Sequence, residues 1–303
     1  MNSRASVIAL PFWLWGAVFV IALLAALFLS YLGRWFEDQE FRDAASFNTR
    51  RLNEAPQHTA VTVIGSSLVH RAFFNDETMQ QKLKAAGVDS QFVRITASSA
   101  DRTRFEKALP LIADAQPRLV IVELEMLIID RFVSKRASLM GLRSLQTGLS
   151  LALQWFKNTL FYEVPPRFNG NYGVERNCNK NLIGNESEQA NIIDRLHSRF
   201  LLLSPQLPTH WQGFIASIQA SGGRIIFLEM GRSSVATQGL SENYKQEYEQ
   251  TLKELKTLYP VDLWRFPGPF PLENYCDLAH LNNLGRERFL EWFIPRLGEA
   301  LND

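Results

Sequence analysis

The residues best suited to chemistry are a serine pair after a short apolar run and an acid–histidine pair near the end of the chain. Gly65, Ser66 and Ser67 follow the β-branched run at residues 61–64, and Asp277 and His280 precede the last predicted helix. A serine hydroxyl is a weak nucleophile unless a base takes its proton, and a histidine base needs a carboxylate to orient it. Together these residue types predict Ser67 as nucleophile, His280 as base and Asp277 as the orienting acid.

Each half of this arrangement also has a plainer interpretation. Ser66 or Ser67 could only cap the next helix, which is a much commoner role for serine. The Asp-x-x-His spacing is frequent and, taken alone, fits a solvated surface loop. His70, one helical turn from Ser67, is an alternative base, although no carboxylate adjoins it in sequence.

The surrounding segments alternate between strand and helix patterns. Strands are predicted at residues 61–64, 91–96, 119–122, 224–228 and 261–263, and helices at 73–86, 101–115, 211–219, 243–258 and 286–297. Uninterrupted apolar strands are typical of parallel sheets that are covered on both faces. The pattern predicts a three-layer α/β domain with a central parallel sheet, in which sites form at the carboxyl ends of strands.

Other polar residues give weaker signals. Glu123 and Glu125 lie at the end of the third predicted strand, and one of them is a candidate for the site wall. His58, His197 and His210 lack the spacing of metal ligands, so no zinc or other metal is expected. No glycine-rich phosphate or dinucleotide motif is present in the sequence, and no cofactor is expected.

The N-terminal segment predicts a membrane anchor. No residue from 5 to 33 is charged, and a spanning helix needs about 20 apolar residues, more than the apolar region of a cleaved signal peptide. We predict a signal-anchor helix at 1–35, a helical juxtamembrane stalk at 36–60 and one domain at 61–303 with an insertion at about 132–210. The alternative is a buried core helix.

Charge and cysteine content indicate which partners and which cellular compartment to expect. The net charge is +1 and the basic residues are scattered, which argues against nucleic acid as a partner. A short N-terminal tail favours an N-inside orientation, so the domain is expected on the periplasmic or extracellular side of the inner membrane. An oxidising compartment there would permit a disulfide between Cys178 and Cys276, the only two cysteines, although two separate buried thiols are the alternative.

Over about residues 60–300 the chain resembles the SGNH (GDSL-like) hydrolase superfamily. The run from Val63 to Leu68, Val-Ile-Gly-Ser-Ser-Leu, is similar to its Gly-Asp-Ser-Leu block, with Ser66 in place of Asp. The run from Asp277 to Asn282, Asp-Leu-Ala-His-Leu-Asn, is similar to its Asp-x-x-His-Leu-Asn block. The resemblance implies a flavodoxin-like fold and an acyl-enzyme on Ser67, and it extends to membrane-anchored members that work beside a multi-pass membrane O-acyltransferase.

The resemblance implies transfer of an acyl group, with acetyl favoured, to a cell-surface polysaccharide or glycan. Two alternatives stay open: a membrane-anchored carbohydrate or lipid esterase, and a catalytically impaired domain that binds polysaccharide. The oxyanion hole departs from the family pattern, since residues 97–100 hold no glycine and no asparagine follows the third strand. The candidate donors are the backbone N–H groups of Ser67, Ser98 and Ser99.

Overall fold

A sheet of five parallel strands organises the domain. The computed structural model describes residues 12–53, 60–97, 102–132 and 201–302. Its strands, in chain order, are β1 (Ala60–Gly65), β2 (Gln91–Thr96), β3 (Leu119–Glu123), β4 (Ile129–Phe132), β5 (Leu201–Leu203), β6 (Arg224–Glu229) and β7 (Asp262–Arg265). The central sheet has the order β2-β1-β3-β6-β7 with every neighbouring pair parallel, whereas β4 and β5 form a separate antiparallel pair. This is the flavodoxin-like order of a doubly wound sheet, in which the winding reverses between β1 and β3.

Helices cover both faces of the sheet. They are α1 (Phe12–Asn53), α2 (Ser67–Ala72), α3 (Asp76–Ala85), α4 (Leu109–Asp114), α5 (Leu124–Ile128), α6 (Thr209–Ala220), α7 (Ser234–Gly239), α8 (Glu242–Leu258) and α9 (Asn283–Asn302). Side chains of α2, α3 and α9 form one core with Val61 and Val63 of β1. Those of α4, α6 and α8 form the other with Ile64. The predicted three-layer α/β fold with a central parallel sheet is confirmed.

Two predicted helices are broken in the structure. The helix predicted at 73–86 is wrong at its start, because Phe73 is extended and its ring packs against Phe92, Phe289 and Phe293. The helix α3 begins only after Asn75, whose side chain accepts the Thr78 N–H at 2.8 Å.

The second break lies in the region predicted as a helix at 101–115. The described part of this region is a 3-10 turn, Arg102–Phe105, followed by the six-residue α4. Pro110 lies in the first turn of α4, where its missing N–H costs nothing. The short helix still buries Leu109 and Ile112, as the predicted apolar face required.

The long helix α1 contains residues 12–35 of the predicted anchor and residues 36–53 of the predicted stalk. Its stretch Leu14–Tyr31, with a mean hydropathy of 2.3, is long and apolar enough to cross a membrane by length and composition, a property that a signal sequence shares. The chain divides into two compact units, with a boundary inside α1 after Glu40. Beyond that boundary Asn48 donates to the Arg94 carbonyl at 2.8 Å and Leu52 is buried, so this part of the predicted stalk packs on the domain.

The predicted insertion, about 132–210, is described only at its ends. Residues 133–200 lie outside the described residues. At the ends, β5 pairs with β4, and the Ser204 N–H donates to the Ile128 carbonyl at 2.8 Å. The helix α6 begins at Thr209, so the main fold resumes there. The two ends of the insertion therefore lie side by side, close to the carboxyl end of β3.

Candidate active site

Ser67 is the first residue of α2, directly after β1. Ser66 takes the capping role, since its hydroxyl accepts the Leu68 N–H at 3.3 Å. A Cβ atom on Gly65 would lie 2.6 Å from the Val69 Cβ and 2.8 Å from a Glu123 carboxylate oxygen. Only glycine therefore fits at this strand-to-helix turn. The helix-cap interpretation holds for Ser66 and leaves the Ser67 hydroxyl available.

The structure brings Ser67, His280 and Asp277 together in one hydrogen-bonded chain. The His280 Nε2 lies 2.9 Å from the Ser67 Oγ, and the His280 Nδ1 lies 2.7 Å from the Asp277 Oδ2. A carboxylate can only accept, so Nδ1 carries the proton and Nε2 accepts from the serine hydroxyl. This is the protonation pattern that a serine nucleophile and its base require.

The loop that carries Asp277 and His280 is tightly held. The second oxygen of Asp277 accepts the backbone N–H groups of Ala279 and His280, each at 2.8 Å, and the Cys276 N–H donates to the His280 carbonyl at 2.7 Å. Burial alone would raise the pKa of Asp277, but these hydrogen bonds and the His280 ring outweigh it and hold the pKa at about 2. Asp277 is therefore ionised at any pH at which His280 can act as a base.

Of the two glutamates that the sequence offered for the site wall, Glu123 is the one at the nucleophile. The strand β3 ends at Glu123 and α5 begins at Leu124, so the two residues do not share one strand. The Glu123 carboxylate accepts the Ser66 N–H and the Ser66 hydroxyl, each at 2.6 Å. It lies beneath the turn that presents Ser67. The available signal was its position after β3, next to the switch point of a doubly wound sheet.

Both glutamates are buried, with exposed fractions of 2% for Glu123 and 5% for Glu125. Burial raises the pKa of Glu123, while hydrogen bonds from Ser66 and Val69 and the charge of His280 oppose the increase. Burial, followed by the charges of Glu123 and Glu229, raises the pKa of Glu125 to about 8. Glu125 is therefore protonated at neutral pH, and its carboxyl group can donate a hydrogen bond.

The alternative base, His70, bonds to β2, whereas the Ser67 hydroxyl bonds to His280. Its Nδ1 lies 2.9 Å from the Thr96 hydroxyl. Burial, with smaller contributions from Arg94, Arg286 and Arg71, lowers the pKa of His70 to about 4. Its hydrogen bond joins α2 to β2, which is a structural role.

The remaining predicted site residues are only partly described. Ser98 and Ser99, the candidate oxyanion donors besides Ser67, lie outside the described residues. Cys276 is buried and disulfide-bonded, and no free thiol occurs in the described part of the chain. Its predicted partner, Cys178, also lies outside the described residues, so the pairing stays a prediction. No group of three or more metal-binding side chains occurs among the described residues.

Comparison with known proteins adds similarity to two solved structures. No protein family and no curated protein matches the chain in sequence. The crystal structure of TesA covers 80% of this chain and 99% of its own, with 15% identity and a TM-score of 0.39. A GDSL-like lipase from Bacteroides thetaiotaomicron covers 86% of this chain and 97% of its own, with 8% identity and a TM-score of 0.41. Such low scores carry no argument about chemistry, and the assignment of the site rests on the geometry of Ser67, His280 and Asp277.

Proposed function

We propose that this chain is a serine-dependent O-acyltransferase that carries an acyl group, acetyl by preference, on Ser67. The observation that carries the proposal is the hydrogen-bonded chain from Ser67 through His280 to Asp277. Three side chains from two distant segments of the chain are hydrogen-bonded in the order nucleophile, base and orienting acid, which is the order that nucleophilic catalysis needs. A catalytically impaired domain has no need of this alignment, so the geometry argues against that alternative.

In the first half-reaction the Ser67 Oγ attacks the carbonyl carbon of an acyl ester or thioester. His280 Nε2 takes the serine proton as the Oγ–C bond forms. It returns that proton to the leaving alkoxide or thiolate as the old C–O or C–S bond breaks. Asp277 holds the ring and stabilises the imidazolium in between. The Ser67 N–H is the donor within the described residues that we assign to the oxyanion.

In the second half-reaction a hydroxyl group attacks the acyl-enzyme, and His280 takes its proton and returns it to Ser67. We propose that this hydroxyl belongs to a cell-surface glycan. The apolar stretch Leu14–Tyr31 supports a membrane location. The domain would then lie on the periplasmic side of the inner membrane, where a multi-pass membrane O-acyltransferase could supply acyl groups. An esterase, in which water is the acceptor, uses the same three residues and is the second candidate.

Glu123 has a place in this mechanism as a positioning residue. It touches Ser66 and not the reacting atoms, so it acts through the turn that carries Ser67. Two hydrogen bonds of 2.6 Å to a buried carboxylate fix both the backbone and the side chain of Ser66. The rigid turn keeps the Ser67 hydroxyl within hydrogen-bond reach of His280 and directs the Ser67 N–H at the reacting carbonyl.

A serine-directed fluorophosphonate tests the nucleophile directly. The wild-type chain should form a covalent adduct that peptide mass spectrometry places on Ser67, and Ser67→Ala should form none. Ser217→Ala is the control, because it removes an exposed hydroxyl on α6, away from the turn, and should retain labelling. Equal labelling of the wild type and Ser67→Ala would refute the assignment.

A further inference from the structure

A cavity that none of the three catalytic residues lines lies at the carboxyl ends of β6 and β7. Its volume is about 440 Å³, within the range of about 300–1,000 Å³ that is usual for ligand pockets. The loop after β6 forms one wall and the first two turns of α8 form another. The segment after β7, with Phe266, Pro267 and Pro269, closes the third side.

The walls combine aromatic faces with carboxyl groups. Tyr244 and Tyr248 of α8 are stacked, with ring centroids 6.2 Å apart and an interplanar angle of 28°. Both rings line the cavity, as does Phe266. Glu229 and Glu125 are in the same lining. Flat apolar surfaces beside hydrogen-bonding groups suit a sugar ring, which has apolar C–H faces and polar edges, better than they suit an acyl chain.

Two guanidinium groups line the cavity, and they differ in their partners. Arg265 is neutralised by Glu229 and by Glu249, with a distance of 2.6 Å to the Glu249 Oε1. In contrast, no hydrogen bond or ion pair joins Arg232 to any residue in the described ranges. A guanidinium presents a planar fork of donors that matches a carboxylate. Lys245, also in the lining, pairs with Glu242 at 2.6 Å. Among the described lining residues, Arg232 is therefore the cation available for an anionic ligand.

The third polar group is the buried carboxyl of Glu125. Its one described hydrogen bond is a long one of 3.4 Å, from the Met230 N–H to the Glu125 Oε2. Because its pKa is raised to about 8 by burial and by the charges of Glu123 and Glu229, this group is neutral at pH 7. It can then donate a hydrogen bond to a ligand without repelling an anion at Arg232.

We propose that this cavity binds a carboxylate-bearing sugar unit of the acceptor, with Arg232 paired to the sugar carboxylate and the ring against Tyr244 and Tyr248. That this sugar unit belongs to the acceptor rests on the proposed function, whereas the binding site itself is inferred from the cavity alone. The proposal assigns an acidic glycan as the substrate class of the second half-reaction.

The cavity is joined to the catalytic loop by hydrogen bonds. The Tyr275 hydroxyl donates to the Gly231 carbonyl at 3.2 Å, and the Ser233 N–H donates to the Leu278 carbonyl at 3.1 Å. Gly231 lines the cavity, whereas Leu278 lies between Asp277 and His280 in sequence. A glycan chain held in the cavity would be anchored on the loop that is bonded to the catalytic base.

Isothermal titration calorimetry on the full chain in detergent tests this assignment. The probes are a hexamer of galacturonic acid and, as the neutral match, maltohexaose. Neither probe carries an acyl group, so the measurement needs no turnover. We expect the acidic hexamer to bind more tightly than the neutral one. Arg232→Gln should weaken its binding about 10- to 100-fold, as expected when one partner of a charge-assisted hydrogen bond is removed.

Two further variants keep the test specific. Arg232→Lys retains the charge without the planar fork and should weaken binding less than Arg232→Gln. Arg296→Gln removes an arginine that stacks on Trp292 of α9, outside the cavity, and should bind as the wild type does. Thermal unfolding checks that each variant is folded.

The outcomes separate this inference from the proposed function. Equal binding of both hexamers, no binding of either, or binding unchanged by Arg232→Gln would overturn the acidic-sugar site. Fluorophosphonate labelling of Ser67 in the same preparation reports on the catalytic proposal. A chain that is labelled but binds no acidic hexamer contradicts the cavity assignment alone, and a chain that binds but is not labelled contradicts the catalytic proposal alone.

Discussion

The Glu123 carboxylate accepts both the backbone N–H and the hydroxyl of Ser66, at 2.6 Å each, directly beneath the turn that presents Ser67. Gly65 leaves the space that this contact needs, because a Cβ there would lie 2.8 Å from the Glu123 Oε2. The turn is therefore defined by Gly65 and Glu123, at the ends of two neighbouring strands, and by the cap residue Ser66. Its rigidity comes from a buried acid and not from the helix cap alone.

Glu123→Ala should lower kcat on a small acetyl ester about 100-fold, the order of loss that a misplacement of about 1 Å can cause. KM should stay nearly unchanged, because Glu123 does not touch the substrate. Glu123→Gln keeps one acceptor for the Ser66 N–H and should recover most of the activity. Michaelis profiles of the three proteins give this kcat and KM split. Wild-type kcat in Glu123→Ala would show that the turn holds its shape without the acid.

Asp277→Asn should lower kcat about 10⁴-fold, as the loss of the orienting carboxylate does in other serine triads. The amide would donate to the His280 Nδ1 and leave Nε2 protonated, unable to take the serine proton. Asp262→Asn is the matched control, because Asp262 pairs with Arg224 at the amino end of β7. Its exposed ion pair is worth about 1 kcal/mol or less, so ester turnover should not change. Full activity in Asp277→Asn would contradict the triad.

The choice between transfer and hydrolysis is open to a simple rate measurement. A transferase protects its acyl-enzyme from water, so we expect slow release of acetate from an activated acetyl ester. Addition of an oligosaccharide acceptor should raise the turnover rate and yield an acetylated sugar, detected by mass spectrometry. Fast turnover in water with no effect of the acceptor would identify an esterase.

The low pKa of His70, about 4, predicts an acid-sensitive fold. Between pH 6.5 and pH 4 the unfolded chain binds a proton at His70 and the folded chain does not. The free energy of unfolding therefore falls as the pH drops through this window, by at most about 3 kcal/mol from this residue. His70→Gln can keep a hydrogen bond to Thr96 and should lack this component. Urea unfolding at several pH values measures the difference, and parallel curves for both proteins would refute it.

The predicted bridge between Cys178 and Cys276 can be tested by alkylation. The unreduced protein should take up no iodoacetamide under denaturing conditions, and the reduced protein should take up two groups. In the chain-entropy model a closed loop of about 100 residues contributes up to about 5 kcal/mol, so reduction should lower the unfolding temperature. Uptake of two groups without reductant would show separate thiols.

The fold followed from the sequence because strand and helix patterns alternate strongly. Residues 91–96 were predicted as a strand with the same bounds as β2, and the predicted ends of the other strands of the sheet differ from the observed ones by at most two residues. Helix interruptions were missed. Phe73 leaves the helix to pack with Phe92, Phe289 and Phe293, partners that lie far away in sequence. The pattern of neighbouring residues carries no information about packing against such distant partners.

The three catalytic residues could also be predicted from local sequence, whereas the residues around them could not. Ser67, Asp277 and His280 stand in recognisable local contexts, and their predicted hydrogen bonds are present. The sequence could not choose between Glu123 and Glu125, because the role of Glu123 depends on β3 lying beside β1 and on β3 ending at that residue. Arg232 and the tyrosines of α8 likewise could not be predicted as a site, because only the fold brings α8 to the ends of β6 and β7.

Tyr275 links the loop after β6 to the loop that carries Asp277 and His280. Its hydroxyl bonds to Gly231 in the cavity wall, and its backbone leads through Cys276 to Asp277. Burial raises the pKa of this hydroxyl, so the link persists in alkaline solution. If the cavity holds the acceptor as we propose, its occupant rests on the same loop that bonds to the segment of His280. On that proposal, arrival of the acceptor and the readiness of the base for the second half-reaction are coupled.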